Sequence, residues 1–368
     1  MTDDGLAIQG LKVLVVLTSN ARRGAEIEGS RLARELQRLG MDAQAVCLAP
    51  VTGASALDLP VLGSKPLGPS SLRALRRGGR QCDVVIACGS STLPACALAL
   101  TGTGVPFVYR SIGDPAAWVR GRSHRWRTGV LMRRAAQVVA LWPQAAERLG
   151  SLYGVDPSRL SVIPNARSSD EFRPPSSHER AESRSRLGLP TDVPVVGWVG
   201  SISYEKQLDL AIDAIARLDD VHLLVVGDGP GRAAAETHAR TMLAGRATFS
   251  GSLDDVTGAY SAIDALLLTS RTEGMPGVVI EAAMSNVPVV ATNVGAIPSM
   301  FDLGIHGEVV TADASPVEVS SAVSRVLRGG LPSLPTGIDA FGWPGVVRSW
   351  VEVLDRCARS KVTASNTE

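Results

Sequence analysis

A chain of 368 residues with 45% hydrophobic and 20% charged side chains has a globular composition and the length for two ordinary domains. Its opening, MTDDGLAIQG, is acidic and polar, and the apolar run Leu11–Leu17 that follows is only strand-length, so neither a leader nor a membrane span is expected and a cytoplasmic setting is. The net charge of +1 conceals an asymmetry: residues 1–165 hold 20 Lys or Arg against 11 Asp or Glu, residues 166–368 hold 17 against 25.

The five cysteines, Cys47, Cys82, Cys88, Cys96 and Cys357, are odd in number and form no C-x-x-C pair, which argues against a disulfide framework and against a zinc site. Two basic clusters, Arg73–Arg80 and Val119–Arg134, carry much of the positive excess, the second interleaved with Trp118 and Trp126. A solvated helix face is the expected use of both. Peripheral contact with an anionic membrane, or capture of a phosphorylated acceptor, is the alternative. No nucleic-acid motif accompanies the charge, and no nucleic-acid partner is expected.

The elements alternate strand and helix, the pattern of parallel sheets covered on both faces. Strands are predicted at Lys12–Leu17, Asp42–Leu48, Asp83–Cys88, Pro106–Arg110, Gln137–Trp142 and Leu160–Ala166. Helices fall near Glu26–Leu39, Leu93–Leu100 and Arg122–Ala136. Arg167–Arg186 is polar and Ser-rich with a Pro pair, and reads as a linker. A second series follows: strands at Pro194–Gly200, His222–Val226, Ala247–Gly251, Ile263–Ser270 and Pro288–Thr292, with helices near Leu208–Leu218 and Arg232–Leu243. A last helix spans about Trp343–Ser360, and the tail from Lys361 is expected to be disordered.

Between the strands ending at Ser270 and Thr292 lies the most informative stretch, SRTEGMPGVVIEAAMSNVPVVATNVG. It sets Glu273 in a strand-to-helix loop and Glu281 in the second turn of the helix, so two carboxylates sit at different depths. Gly274, Met275, Pro276 and Gly277 form a loop able to approach a ligand, and the free N–H groups of the helix start attract phosphate. On spacing alone, solvated helix-end acids are an equal reading.

This segment resembles the signature of the retaining GT-B glycosyltransferases of family 4: Glu, seven residues, Glu, an alanine-rich helix and a Pro-Val-Val strand. The resemblance extends over nearly the whole chain, specific in the second half and loose in the first. It implies an α/β, GT-B architecture of two Rossmann-like, doubly wound domains facing across a cleft. The expected bounds are 1–166 for the acceptor-side domain, 167–186 for the linker and 187–344 for the donor-binding domain, with the helix at about 345–360 packing back on the first. By the same resemblance Glu273 contacts the transferred sugar and Glu281 the donor ribose. Lys206, in SISYEKQ, faces the diphosphate; Gly251, Ser252 and Leu253 lie near the base; Gly24 starts a helix under the phosphates. Glu26 is read as a first-turn acid favoured by the helix dipole, and Gly227–Gly231 as a structural turn.

The chain departs from the pattern in several segments. Ser201 stands where the family has an arginine facing the diphosphate, which shifts the load to Lys206, the helix end near Gly277 and an arginine such as Arg271. Ala166, Arg167 and Ser168 replace Gly, Val and Asp after Ile163-Pro164-Asn165. RSIGDP, Arg110–Pro115, lacks the histidine that reaches the donor sugar in many members, leaving Arg110 and Asp114 as polar substitutes, with Asp114 the acceptor-site candidate. For Asp114 a turn aspartate before Pro115 is an equal reading.

The resulting expectation is a metal-independent, retaining transferase moving a sugar from a nucleoside-diphosphate sugar, UDP ahead of GDP or ADP, to a small-molecule, lipid or glycan acceptor. No metal or other cofactor is expected. The alternatives are a noncatalytic or partner-dependent GT-B protein, motivated by the missing arginine and histidine, and a nucleotide-sugar hydrolase or epimerase on the same fold.

Overall fold

Runs such as Val13–Leu17 and Ala265–Leu268 are apolar at every position because a parallel strand with helices on both faces has no solvent side. In the computed structural model, which describes residues 9–51, 56–118, 121–330 and 334–365 (side chains of 118 and 360–365 excepted), these runs are fully buried. Val119 and Arg120 of the second basic cluster lie outside the described residues.

The chain divides into Met1–Asn165 with Trp343–Glu368, and Ala166–Gly342. The first unit holds β1 (Lys12–Ser19), α1 (Gly24–Arg38), β2 (Asp42–Ala49), α2 (Pro69–Gly79), β3 (Val84–Cys88), α3 (Thr92–Ala99), β4 (Phe107–Arg110), α4 (Arg122–Met132), β5 (Gln137–Ala140), α5 (Pro143–Tyr153) and β6 (Leu160–Val162). Its sheet is parallel in the order β2-β1-β3-β4-β5-β6. The second holds α6 (Ser177–Arg186), β7 (Val195–Val199), α7 (Leu208–Ile215), β8 (His222–Val226), α8 (Arg232–Leu243), β9 (Ala247–Gly251), α9 (Thr257–Ala262), β10 (Ala265–Leu268), α10 (Gly277–Met284), β11 (Val289–Thr292), α11 (Ile297–Asp302), β12 (Gly307–Val310) and α12 (Pro316–Arg328). Its parallel order is β12-β11-β10-β7-β8-β9. The direction of winding reverses between β1 and β3 in one sheet and between β7 and β10 in the other, which makes both doubly wound. The last helix, α13 (Trp343–Ser365), lies in the first unit, with Trp350 buried over the Arg110 guanidinium at 5.7 Å.

Two expectations change here. The stretch 167–186 is not a spacer: Ser176 and Glu179 form a reciprocal capping box at the start of α6, and Arg180 and Arg184 both bind Asp264 at the head of β10. Arg184, buried, also reaches the Ala262 carbonyl at 2.9 Å. The C-terminal tail, expected to be disordered from Lys361, continues α13 to Ser365.

Part of the basic excess turns inward. Arg76 of α2 donates to the carbonyls of Ala99 and Thr101 at 2.8 and 2.6 Å, closing the end of α3, and Arg125 of α4 donates to the Ser151 and Leu152 carbonyls of α5. These bonds answer orphan helix-end carbonyls. Trp126 is 68% exposed. No described helix is long and apolar enough to cross a membrane.

Candidate functional site

Ligands of open α/β sheets bind outside the carboxyl ends of the strands where the winding reverses. In the second unit that point lies between β7 and β10, and the loops leaving these two strands carry Lys206 and Glu273. After β7 the chain makes a short 3-10 turn, Tyr204–Lys206, and passes through Gln207 in the left-handed region at φ 46°. Thr269, fully buried after β10, fastens that turn: its hydroxyl donates to the carbonyls of Lys206 and Gln207 at 3.1 and 2.8 Å and accepts from the Trp198 indole at 3.3 Å. The Arg271 N–H adds a bond to the Glu205 carbonyl, 2.8 Å.

So fastened, Lys206 Nζ meets Glu273 Oε1 at 2.6 Å, and the Ser270 hydroxyl donates to the same oxygen at 2.6 Å. The Glu273 side chain is only 8% exposed, while Lys206 keeps 28%. A charge-assisted bond of this length holds the carboxylate in one place. The loop from Glu273 is held from the other side as well. Gly295 sits at φ 58°, and a β-carbon there would fall on the carbonyl oxygens of Glu273 and Gly274, while Ala296 N–H donates to the Gly274 carbonyl at 2.8 Å.

Pro276 caps α10 with extended backbone, Gly277 is the first helical residue, and Met275 is buried. At Gly277, the last residue of the loop read as able to approach a ligand, the Arg167 guanidinium lies where a β-carbon would fall. Arg167 Nε donates to Glu281 Oε1 at 2.6 Å, and the Tyr260 hydroxyl donates to Glu281 Oε2 at 2.6 Å. All three side chains are buried, Glu281 at 9% exposure. Burial and the neighbouring carboxylate hold the Tyr260 phenol well above its ordinary value, so it remains a donor. Phe172 packs edge-on against the Tyr260 ring with centroids 5.8 Å apart. Arg167 and Tyr260 were both missed by sequence reasoning. Arg167 is visible only as a departure after Asn165, and nothing local marks Tyr260.

The remaining candidates are spread along the same strand ends. Ser201, exposed, follows β7. Its neighbour Ile202 donates to the Asp228 carbonyl at 2.9 Å and accepts from Gly231 N–H at 3.0 Å, so Gly227–Gly231 serves as the turn that ties β7 to β8. Gly251, at φ 75°, closes β9 and accepts from Gly227 N–H at 2.8 Å, with exposed Ser252 and half-buried Leu253 next. Arg271, exposed, lies over the Tyr204 ring at 4.5 Å.

In the first unit Gly24 opens α1 with nothing within 4 Å of where its β-carbon would be. Arg110 does not offer an open cation. It is buried at the end of β4, 3.4 Å from buried Glu28 and 2.9 Å from the Asn165 side chain. Asp114 accepts from Arg148 through both oxygens, at 2.9 and 2.8 Å, and caps the Pro115 turn through Ala116 N–H at 2.9 Å. No group of three or more His, Cys, Asp or Glu with metal-holding geometry occurs among the described residues.

Comparison with known proteins follows the same division. Residues 193–329 match the model of glycosyl transferases group 1, and residues 23–166 match that of a glycosyl transferase 4-like domain. The chain is 34% identical over 212 residues to the 2-deoxystreptamine glucosyltransferase of Streptomyces kanamyceticus, covering 55% of this chain and 54% of that one. It is 35% identical over 173 residues to a D-inositol 3-phosphate glycosyltransferase of Mycobacterium sp. (strain KMS), covering 45% of this chain and 39% of that one. The chain thus spans about half or less of the length of these curated relatives. Among solved structures, Anabaena HepE in complex with UDP and glucose superposes with a TM-score of 0.78 at 20% identity, covering 94% and 99% of the two chains. Sucrose-phosphate synthase from Thermosynechococcus elongatus gives 0.77 at 17% identity, covering 95% and 100%.

Proposed function

The chain belongs to the group 1 glycosyltransferases, family 4 of the GT-B fold, and we propose that it transfers a sugar from a UDP-sugar to a small polyhydroxylated acceptor with retention at the anomeric carbon. The observation that carries the reading is the pairing of Lys206 with Glu273 at the winding reversal of the second sheet, with the start of α10 beside it. UDP is favoured by the fold shared with HepE, which was solved with UDP and glucose. A small acceptor is favoured by the two curated relatives, whose names carry cyclitol rings.

Breaking the bond from the anomeric carbon to the donor phosphate leaves an electron pair on the departing oxygen and positive charge on the sugar ring. Lys206 and the first N–H groups of α10 answer the former without a metal ion, and Glu273 orients and stabilises the latter. The acceptor oxygen bonds to the anomeric carbon on the face being vacated, and its proton passes to the leaving phosphate. That route needs no histidine base in the Arg110–Pro115 segment. Asp114 is the acceptor-side candidate, and Glu281 reads the donor ribose.

Calorimetric titration of wild type and Glu281→Ala with UDP, GDP and ADP, without added metal, tests the reading. Selective binding of UDP that the substitution abolishes is expected. An affinity untouched by the substitution would remove Glu281 from the donor site, and no binding of any nucleotide would favour a noncatalytic or partner-dependent protein.

A further inference from the structure

The Glu281 carboxylate is pinned more completely than holding a buried charge requires. Each oxygen receives one short bond from a different element: Oε1 from Arg167 Nε and Oε2 from the Tyr260 hydroxyl, both at 2.6 Å. The two donors are themselves fixed. Arg167 N–H donates to the Phe341 carbonyl at 2.8 Å within a parallel bridge to Gly342, so its backbone is tied where the chain leaves the second unit. Tyr260 is fully buried on α9 and braced by Phe172. Gly277, lacking a side chain, gives the guanidinium its seat at the start of α10.

A carboxylate has about four lone-pair sites, two on each oxygen. Arg167 and Tyr260 use one on each, and the carboxylate accepts no other hydrogen bond among the described residues. What is left is one acceptor site per oxygen, the number needed for the two hydroxyls of a vicinal diol. With the carboxylate locked in rotation, a sugar lacking one hydroxyl leaves a buried acceptor unanswered, which is the physical basis of strong discrimination between a hydroxyl and its absence.

We propose that Arg167 and Tyr260 are positioning residues that set Glu281 to select ribonucleotide over 2′-deoxyribonucleotide donors. The proposal rests on the assignment of Glu281 to the ribose made above. It assigns to Arg167, a replacement in the segment after Asn165, a role in specificity rather than in holding the chain together alone.

Binding of UDP, GDP and ADP and of their 2′-deoxy counterparts is measured by calorimetry on wild type, Tyr260→Phe and Arg167→Lys, with thermal melting of each. Wild type is expected to prefer the ribonucleotide by about tenfold or more. Tyr260→Phe keeps the ring packing and removes one donor; it is expected to hold its affinity for the deoxynucleotide while the preference falls to within about threefold. Arg167→Lys keeps the charge but not the fixed fork and is expected to act in the same direction. A purely structural clamp would lower both affinities together. The wild-type ratio persisting in both variants, or both affinities falling in parallel, overturns the proposal and leaves the donor assignment standing. Failure of wild type to bind any of the six nucleotides overturns the donor assignment, and the proposal with it.

Discussion

Lys206 and Glu273 form a 2.6 Å ion pair between the loops that leave β7 and β10, two strands adjacent in the sheet but separated in sequence by the whole of β8 and β9. Removing the lysine leaves a carboxylate of 8% exposure without its cation. Lys206→Ala is therefore expected to lower stability by about 1 to 3 kcal/mol and turnover by about a hundredfold or more. Adding Glu273→Gln to that variant returns part of the stability and none of the turnover. Urea titrations and donor-acceptor assays on the double-mutant cycle check this; strictly additive stabilities would show that the pair is not coupled.

Asp114 shares its carboxylate between Arg148 and the Pro115 turn. Asp114→Asn and Arg148→Met are expected to cost a similar, small amount of stability, on the order of 1 kcal/mol or less, as a part-exposed pair does. An acceptor-side role separates them: the acceptor KM rises in Asp114→Asn and stays level in Arg148→Met. Equal KM values in the two variants reduce Asp114 to its turn.

Gly295 is the position where backbone geometry and the site meet. A methyl group there is strained by φ 58° and collides with the carbonyls of Glu273 and Gly274. Gly295→Ala is expected to destabilise by more than about 1 kcal/mol and to depress turnover by moving Glu273, while circular dichroism keeps its native form. Full activity in this variant would show that the Glu273 loop tolerates displacement.

Glu26, in the first turn of α1, is 8% exposed, and burial pushes its carboxyl above the ordinary value of 4.5 against the opposing pull of its own N–H and of Arg23. A carboxyl raised in the folded chain holds its proton more tightly there, so its stabilisation is complete below about the ordinary value and is lost as pH climbs through the raised one. Glu26→Gln is accordingly expected to be more stable than wild type at pH 7 and no more stable at pH 4. Denaturant melts at the two pH values decide it; a gain equal at both would assign the effect to packing.

Every strand but β12 was legible because a doubly covered parallel strand is apolar at every position, and Ala265–Leu268 or Val84–Cys88 can be little else; β12, at the sheet edge and without a fully buried residue, was missed. α6 was not, because its buried contacts are made by Arg180 and Arg184 to Asp264, and no apolar stripe advertises it. The signals that would have found it, and α12 with it, were the capping boxes at Ser176-Glu179 and Ser315-Glu318.

For the site, local spacing sufficed to place Glu273 in a loop and Glu281 on the helix after it, since both lie within one strand-loop-helix unit. Lys206 was picked out by the resemblance of SISYEKQ to the family's element after β7. That Lys206 closes on Glu273 followed only from the order of strands, which brings β7 beside β10. Arg167 and Tyr260 lie 114 and 21 residues from the carboxylate they hold. A hydrogen bond depends on where two backbones finally lie, and no periodicity in a single segment encodes that distance. Composition, strand pattern and motif spacing thus determined the architecture and the first carboxylates; the packing of α9, α10 and the 167–342 bridge decided what those carboxylates touch.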